Sequence, residues 1–214
     1  MPAADAAIFD MDGVLVDSGA CHRAAWRALL AELGAPEPPE FWRLTIGRPS
    51  HEAVSHLLGR PLPPAEARRL ARRKQELYAH LAALGVPAVA GAAEFVRTLG
   101  ALGVPRALAT SASRPDVERL LAPLGLLEHF TVVVSAEDIV RGKPDPEVYL
   151  RAARGLGVAP GGCVVFEDSL VGVQAARAVG MRVVGLATAH TEAELRAAGA
   201  ERVLADFAGC RWPL

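Results

Sequence analysis

Lysine is almost missing from this chain. Of its 23 basic residues only Lys74 and Lys143 are lysines; the rest are arginines. A compact ammonium and a guanidinium fork serve a bound anion differently, so the two exceptions merit inspection. Cysteine is scarce too. Cys21, Cys163 and Cys210 are odd in number, far apart and in no C-x-x-C pair, which argues against a disulfide framework and against a zinc site. Cys163 lies in an apolar run and reads as a small buried hydrophobe. No apolar stretch approaches the length of a membrane span. Met1 to Asp10 has neither the basic start nor the apolar run of a signal peptide. The expectation is a cytoplasmic protein with no membrane partner. Excess charge of one sign is also missing: the formal net charge is −1, with no basic stripe, which gives a nucleic-acid partner no electrostatic support.

What is present fits a globular chain. The 214 residues are 51% hydrophobic and 22% charged, enough for one good core plus a small insert. A monomer with a small-molecule ligand is expected. Short apolar runs at Ala6–Phe9, Val104–Ala109, Thr131–Val134, Cys163–Phe166 and Arg182–Gly185 read as buried strands. Helical patterns lie between the later ones, at Ala92–Leu102, Pro115–Leu124, Pro146–Leu156 and Leu170–Val179. Strands alternating with helices predict an α/β fold, a parallel sheet covered on both faces. The stretch 18–85 breaks the alternation. It is helical in pattern, with helices over Ala20–Leu33 and Ala65–Leu84, and reads as a cap inserted after the first strand. The core then comprises 1–17 and 86–214.

Open parallel sheets bind ligands outside the carboxyl ends of their strands. The polar residues at those ends are Asp10 and Asp12, Thr110 and Ser111, and Glu167 and Asp168, while Lys143 lies in the loop Gly142-Lys143-Pro144-Asp145-Pro146. Four acids on one rim repel one another unless a cation sits among them, and magnesium favours such oxygen ligands and often bridges to phosphate. A carboxylate can attack phosphorus to give an aspartyl phosphate. A second one two residues on can protonate the leaving group and later deprotonate water. Lys143 and magnesium would neutralise the transferring phosphoryl group, while Thr110 and backbone N–H groups hold its oxygens.

In this order these elements resemble the haloacid dehalogenase (HAD) superfamily of phosphohydrolases. The first motif is Phe9-Asp10-Met11-Asp12-Gly13-Val14-Leu15-Val16-Asp17-Ser18; the second is the strand ending at Thr110; the third is Lys143 in Gly-Lys-Pro-Asp-Pro; the fourth is Phe166-Glu167-Asp168-Ser169, with Gly172 and Ala175-Ala176 beyond. The resemblance implies a Rossmann-like core with an inserted helical cap and bound Mg2+. It implies Asp10 as nucleophile, Asp12 as acid/base, Thr110 and Lys143 as phosphate ligands, and Ser111 and Ala112 beside them in the substrate site. Magnesium would be held by Asp10, the Asp12 carbonyl and Asp168, with Glu167 bound directly or through water. Asp12 is absent from true dehalogenases of the superfamily, so its presence favours phosphate esters.

Among subgroups the chain resembles the beta-phosphoglucomutase-like phosphatases. His22, Trp26 and the segment Arg73–Tyr78 match that mutase's cap, which implies substrate contacts from His22, Lys74, Gly47, Arg48 and Ser50. In Gly47-Arg48-Pro49-Ser50-His51-Glu52 the mutase's arginine position falls on Ser50, with Arg48 displaced. That departure places a sugar-phosphate phosphatase ahead of a phosphomutase. A non-catalytic protein that binds a phosphometabolite is a third reading, disfavoured by the intact catalytic set. Plainer roles compete for single residues. Asp10 alone could be a turn residue, Lys74 belongs to a charge run of the solvated kind, His22 and His51 fit an ordinary helix, and Asp17, Ser18, Asp145 and Ser169 suit helix capping.

Overall fold

A computed structural model of the chain describes residues 5–39, 41–46 and 49–213. In chain order, strand β1 (Ala6–Phe9) is followed by helices α1 (Gly19–Glu32), α2 (Ser50–Leu57) and α3 (Pro64–Ala82). Helix α4 (Ala92–Ala101) then opens an alternating series: β2 (Arg106–Ala109), α5 (Arg114–Leu121), β3 (Val132–Val134), α6 (Glu147–Leu156), β4 (Cys163–Glu167), α7 (Leu170–Ala178), β5 (Arg182–Leu186), α8 (Glu192–Ala198) and β6 (Arg202–Leu204). The chain divides into two compact units, Met1–Asp17 with Pro87–Leu214, and Ser18–Val86. This is an α/β fold: a Rossmann-like parallel sheet core with an inserted helical cap. Among the described residues no helix is long and apolar enough to cross a membrane.

Among the described residues the sheet unit holds six strands in the order β3-β2-β1-β4-β5-β6, every neighbouring pair parallel. Strand order reverses between β1 and β4, and a crevice opens at the carboxyl end of such a reversal. Strand β1 is buried at every residue, as a central parallel strand should be. Its alternation feeds two cores. Ala6 and Ile8 join Ala107, Val165, Tyr149 and Val173 on one face. Phe9 faces the other way and stacks on Phe166, with ring centroids 4.6 Å apart and planes 8° from parallel, while Phe95 meets both rings edge-on. Phe9 immediately precedes Asp10, and Phe166 immediately precedes Glu167. The stacked pair therefore anchors both acidic strand ends in the core, where truncating either ring would cost about 3–5 kcal/mol.

The helical unit has its own core, built by Trp26, Leu29, Phe41, Val54, Leu57 and Leu70. Helix α3 starts on Pro64, whose missing N–H is harmless at that position. It buries Ala67, Leu70, Lys74, Tyr78 and Ala82 along one stripe, so a lysine occupies a place that spacing alone would assign to an apolar residue.

The sheet exceeds the five expected strands by β6, whose Arg-Val-Leu sequence is exposed to half-buried. An edge strand of three residues carries no continuous apolar run, so hydrophobic patterning does not reveal it.

Candidate active site

The reversal point between β1 and β4 gathers the acids. The Asp10 N–H donates to the Phe166 carbonyl at 3.0 Å, extending the ladder one residue past β1. The chain then turns sharply: the N–H groups of Val14, Leu15 and Val16 all donate to the Met11 carbonyl, at 3.3, 2.8 and 3.1 Å. Gly13 has φ +71°, and a Cβ there would run into the Asp168 carboxylate. Only glycine serves both conditions. Thr188 fastens the turn, its hydroxyl donating to the Gly13 carbonyl at 2.6 Å and lying 3.4 Å from Asp168 Oδ2.

Lys143 enters from the loop before α6. Its Nζ donates to Asp10 Oδ1 at 3.0 Å and to Glu167 Oε1 at 2.6 Å. Glu167 is wholly buried and accepts from every side. The Tyr149 hydroxyl donates to Oε1 at 2.9 Å; the Ser169 N–H and hydroxyl donate to Oε2 at 2.6 and 3.0 Å. Ser169 also caps α7, accepting from the Gly172 N–H at 3.1 Å. A Cβ at Gly172 would collide with the Glu167 carboxylate. That explains a glycine inside the first turn of α7, where helix propensity disfavours it.

The electrostatics are unbalanced. Burial pushes the Asp10 carboxyl up to about 7; Lys143 opposes the rise, while Glu167 and Asp12 add to it. Burial, then Glu167 and Asp10, hold Asp168 well above the usual carboxylate range. For Lys143, burial works against the ammonium, but Asp10, Glu167 and Tyr149 outweigh it and keep the group protonated. One ammonium thus faces three buried carboxylates. Ligand atoms of Asp10, Glu167 and Asp168 all lie within 4.8 Å of one another. An all-carboxylate donor set with surplus negative charge fits a hard divalent cation.

Asp12 is half-buried in the turn after β1, where it bridges to Val16. Thr110 is buried one residue past β2, and its hydroxyl accepts from the Ala112 N–H at 3.1 Å. Ser111 is exposed and Ala112 half-buried. Lys143 contacts Asp10 and Glu167 directly, and a carboxylate oxygen of Asp168 lies within 4.8 Å of those two acids; Thr110 follows the strand next to β1, paired in the register Phe9–Leu108. In the helical unit, Lys74 Nζ lies 2.8 Å from His22 Nδ1, and the His22 ring stacks on Tyr78 at 4.1 Å. The Lys74 ammonium also sits 5.3 Å from the Trp26 ring centre. Lys74 is thus a buried member of a polar and aromatic cluster, unlike a solvated charge run. Ser50 is the half-buried first residue of α2. Gly47 and Arg48 lie outside the described residues. Two contacts had no sequence signal: Tyr149, which patterns as an apolar core position of α6, and Thr188, in the loop after β5.

The comparisons with known proteins agree with this geometry. The family model described as haloacid dehalogenase-like hydrolase matches residues 4–180. The validoxylamine A 7'-phosphate phosphatase of Streptomyces hygroscopicus subsp. limoneus is 36% identical, covering 97% of this chain and 96% of its own. The fructose-1-phosphate phosphatase of Escherichia coli is 34% identical over 83% of this chain and 93% of its own. Among solved structures, CbbY from Rhodobacter sphaeroides in complex with phosphate is 31% identical, with a TM-score of 0.78 over 96% of this chain and 95% of that one. A family match over most of the chain, joined to buried acids where an α/β enzyme keeps its chemistry, shows that this chain is an enzyme belonging to the haloacid dehalogenase-like hydrolases.

Proposed function

We propose that the enzyme hydrolyses the phosphate ester of a small metabolite, a sugar phosphate, through a phosphoryl-aspartate on Asp10. The observation that carries this reading is the Lys143 ammonium held against Asp10 and Glu167 in a buried acid cluster. Asp10 attacks phosphorus, and the ester bond breaks as Asp12 donates a proton to the leaving alkoxide. Water then attacks the phosphorus of the acyl phosphate, giving its proton to Asp12. Inorganic phosphate leaves, and Asp10 is restored. Lys143 offsets charge on the transferring group, and Thr110 with the neighbouring N–H groups holds its oxygens. Asp10, the Asp12 carbonyl and Asp168 would hold magnesium, with Glu167 bound directly or through water, and the ion would supply charge neutralisation at the phosphoryl oxygens.

The substrate class is supported by relatives whose names specify a validoxylamine phosphate and fructose 1-phosphate, and by a related structure holding phosphate. Within the family we place the chain in the beta-phosphoglucomutase-like phosphatase subgroup, acting as a monomer, with core and cap divided near residues 17 and 86. His22, Ser50 and Lys74 are assigned substrate contacts on the sequence resemblance alone. The test is phosphate release from a panel of phosphate esters with magnesium, run beside conversion of beta-glucose 1-phosphate to glucose 6-phosphate with a bisphosphate primer. Release from sugar phosphates is expected. No release from any ester by folded, metal-loaded protein would refute the reading, and primer-dependent isomerisation would replace it with a mutase.

A further inference from the structure

We infer that Tyr149 is a positioning residue of this site, its hydroxyl setting the place of the Lys143 ammonium through the shared oxygen Glu167 Oε1. The inference rests on the reading of Lys143 as the clamp on the transferring phosphoryl group.

Tyr149 lies in the first half of α6, six residues after Lys143, and is fully buried. Its hydroxyl donates to Glu167 Oε1 at 2.9 Å, the same atom that accepts from Lys143 Nζ at 2.6 Å. Its ring centre lies 5.1 Å from that ammonium. Tyr149 therefore touches both members of the pair and links the helix behind the Lys143 loop to the end of β4. The other Glu167 oxygen is fixed by Ser169. With donors on both oxygens, Glu167 cannot turn without breaking several charge-assisted bonds. A carboxylate oxygen can only accept, so the hydroxyl is the donor of this pair.

The consequence follows from competition for one cation. Lys143 is shared between Glu167 and Asp10, and the Asp10 bond is already the longer, 3.0 against 2.6 Å. A second donor on Oε1 lowers that oxygen's pull on the ammonium. Without it, Glu167 draws Lys143 inward, the Asp10 bond lengthens, and the cation is misplaced for the phosphoryl group. Small displacements of such a group are costly, because it works only when aimed at the charge that develops. The packing role of the ring is separable, since phenylalanine keeps the ring beneath the ammonium and removes only the donor.

The experiment uses the full-length wild type and Tyr149→Phe, each labelled with 15N at lysine Nζ. With only two lysines in the chain, the side-chain spectrum holds two signals, assigned by Lys74→Arg. The Lys143 signal should shift in Tyr149→Phe while that of Lys74 stays, and kcat should fall about tenfold with KM within twofold, since the lost alignment is felt in the transition state. A structural role alone would lower stability and leave the Lys143 signal and the kcat-to-KM split unmoved. An unmoved Lys143 signal overturns the inference, and so does a kcat within twofold of wild type. Absence of turnover in the wild type refutes the phosphatase reading, and the Lys143 signal then decides the Tyr149 contact by itself. Should Tyr149→Phe not fold, wild type carrying 3-fluorotyrosine, a more acidic phenol, should move the Lys143 signal; no movement overturns the inference.

Discussion

Asp10→Asn should stabilise the metal-free enzyme at alkaline pH while abolishing turnover. Burial raises the Asp10 carboxyl from 3.8 to about 7. A displacement of that size corresponds to about 4 kcal/mol at about 1.4 kcal/mol per pH unit. The sign is set by linkage. A group with a raised pKa in the folded state contributes most stability below its unfolded value, and loses that contribution as pH rises through the folded value. Below pH 3.8 the carboxyl is protonated in both states, and asparagine changes little. Above about 7 it is ionised in both, and the native state bears the full cost of a buried anion. Lys143 keeps Glu167 as its partner in the variant, so no ammonium is orphaned. Because the neighbouring acids share the strain, about 2–4 kcal/mol is expected at pH 8, or roughly 5–15 °C in Tm for a chain of this size. The assay is thermal and urea denaturation of both proteins in chelator at pH 4, 6 and 8, repeated with magnesium. The gap should widen with pH, and magnesium should narrow it by stabilising the wild type more than the variant. A variant no more stable than wild type at pH 8, or a gap that does not grow with pH, would refute the electrostatic account.

Asp12→Ala should lower kcat by about 10²–10⁴-fold, the usual worth of a positioned acid/base, and let phosphoenzyme build up in rapid-quench samples; unchanged kcat would remove Asp12 from proton transfer. Gly172→Ala should destabilise the protein and cut activity, because the methyl group meets the Glu167 carboxylate, with a loss of about 1–3 kcal/mol in urea denaturation, typical of overpacking; a neutral result would mean that Glu167 can move. Metal affinity, read by calorimetry, should weaken by at least about tenfold per pH unit below about 7 as protons compete for Asp10 and Asp168, and a flat profile would place the metal elsewhere.

The strand-end chemistry is legible because the strands that carry it are apolar runs that stop at polar residues. Ala6–Phe9 ending at Asp10, and Cys163–Phe166 ending at Glu167-Asp168, follow that rule directly. The α/β class was readable for the same reason. Burial and partnership were not. Glu167 has no exposed surface and accepts from Lys143, Tyr149 and Ser169, yet its sequence neighbours reveal only its position. Tyr149 fits the apolar stripe of α6, and nothing in helical spacing shows that its hydroxyl meets a carboxylate on β4. Lys74 read as part of a charge run because Arg72 and Arg73 precede it; helical rotation separates them, leaving Arg73 exposed on Glu32 and Lys74 buried beside His22. Strand β6 is not legible in the sequence because three residues at a sheet edge carry too little apolar pattern.

The central claim is that phosphorus is transferred to Asp10. The direct measurement is acid quench of the enzyme during turnover of a 32P-labelled sugar phosphate, followed by peptide mapping, in wild type and in Asp12→Ala. The account predicts label on the peptide containing Asp10, more in Asp12→Ala than in wild type, and none in Asp10→Asn. Turnover without any labelled peptide, or label on another residue, would contradict it.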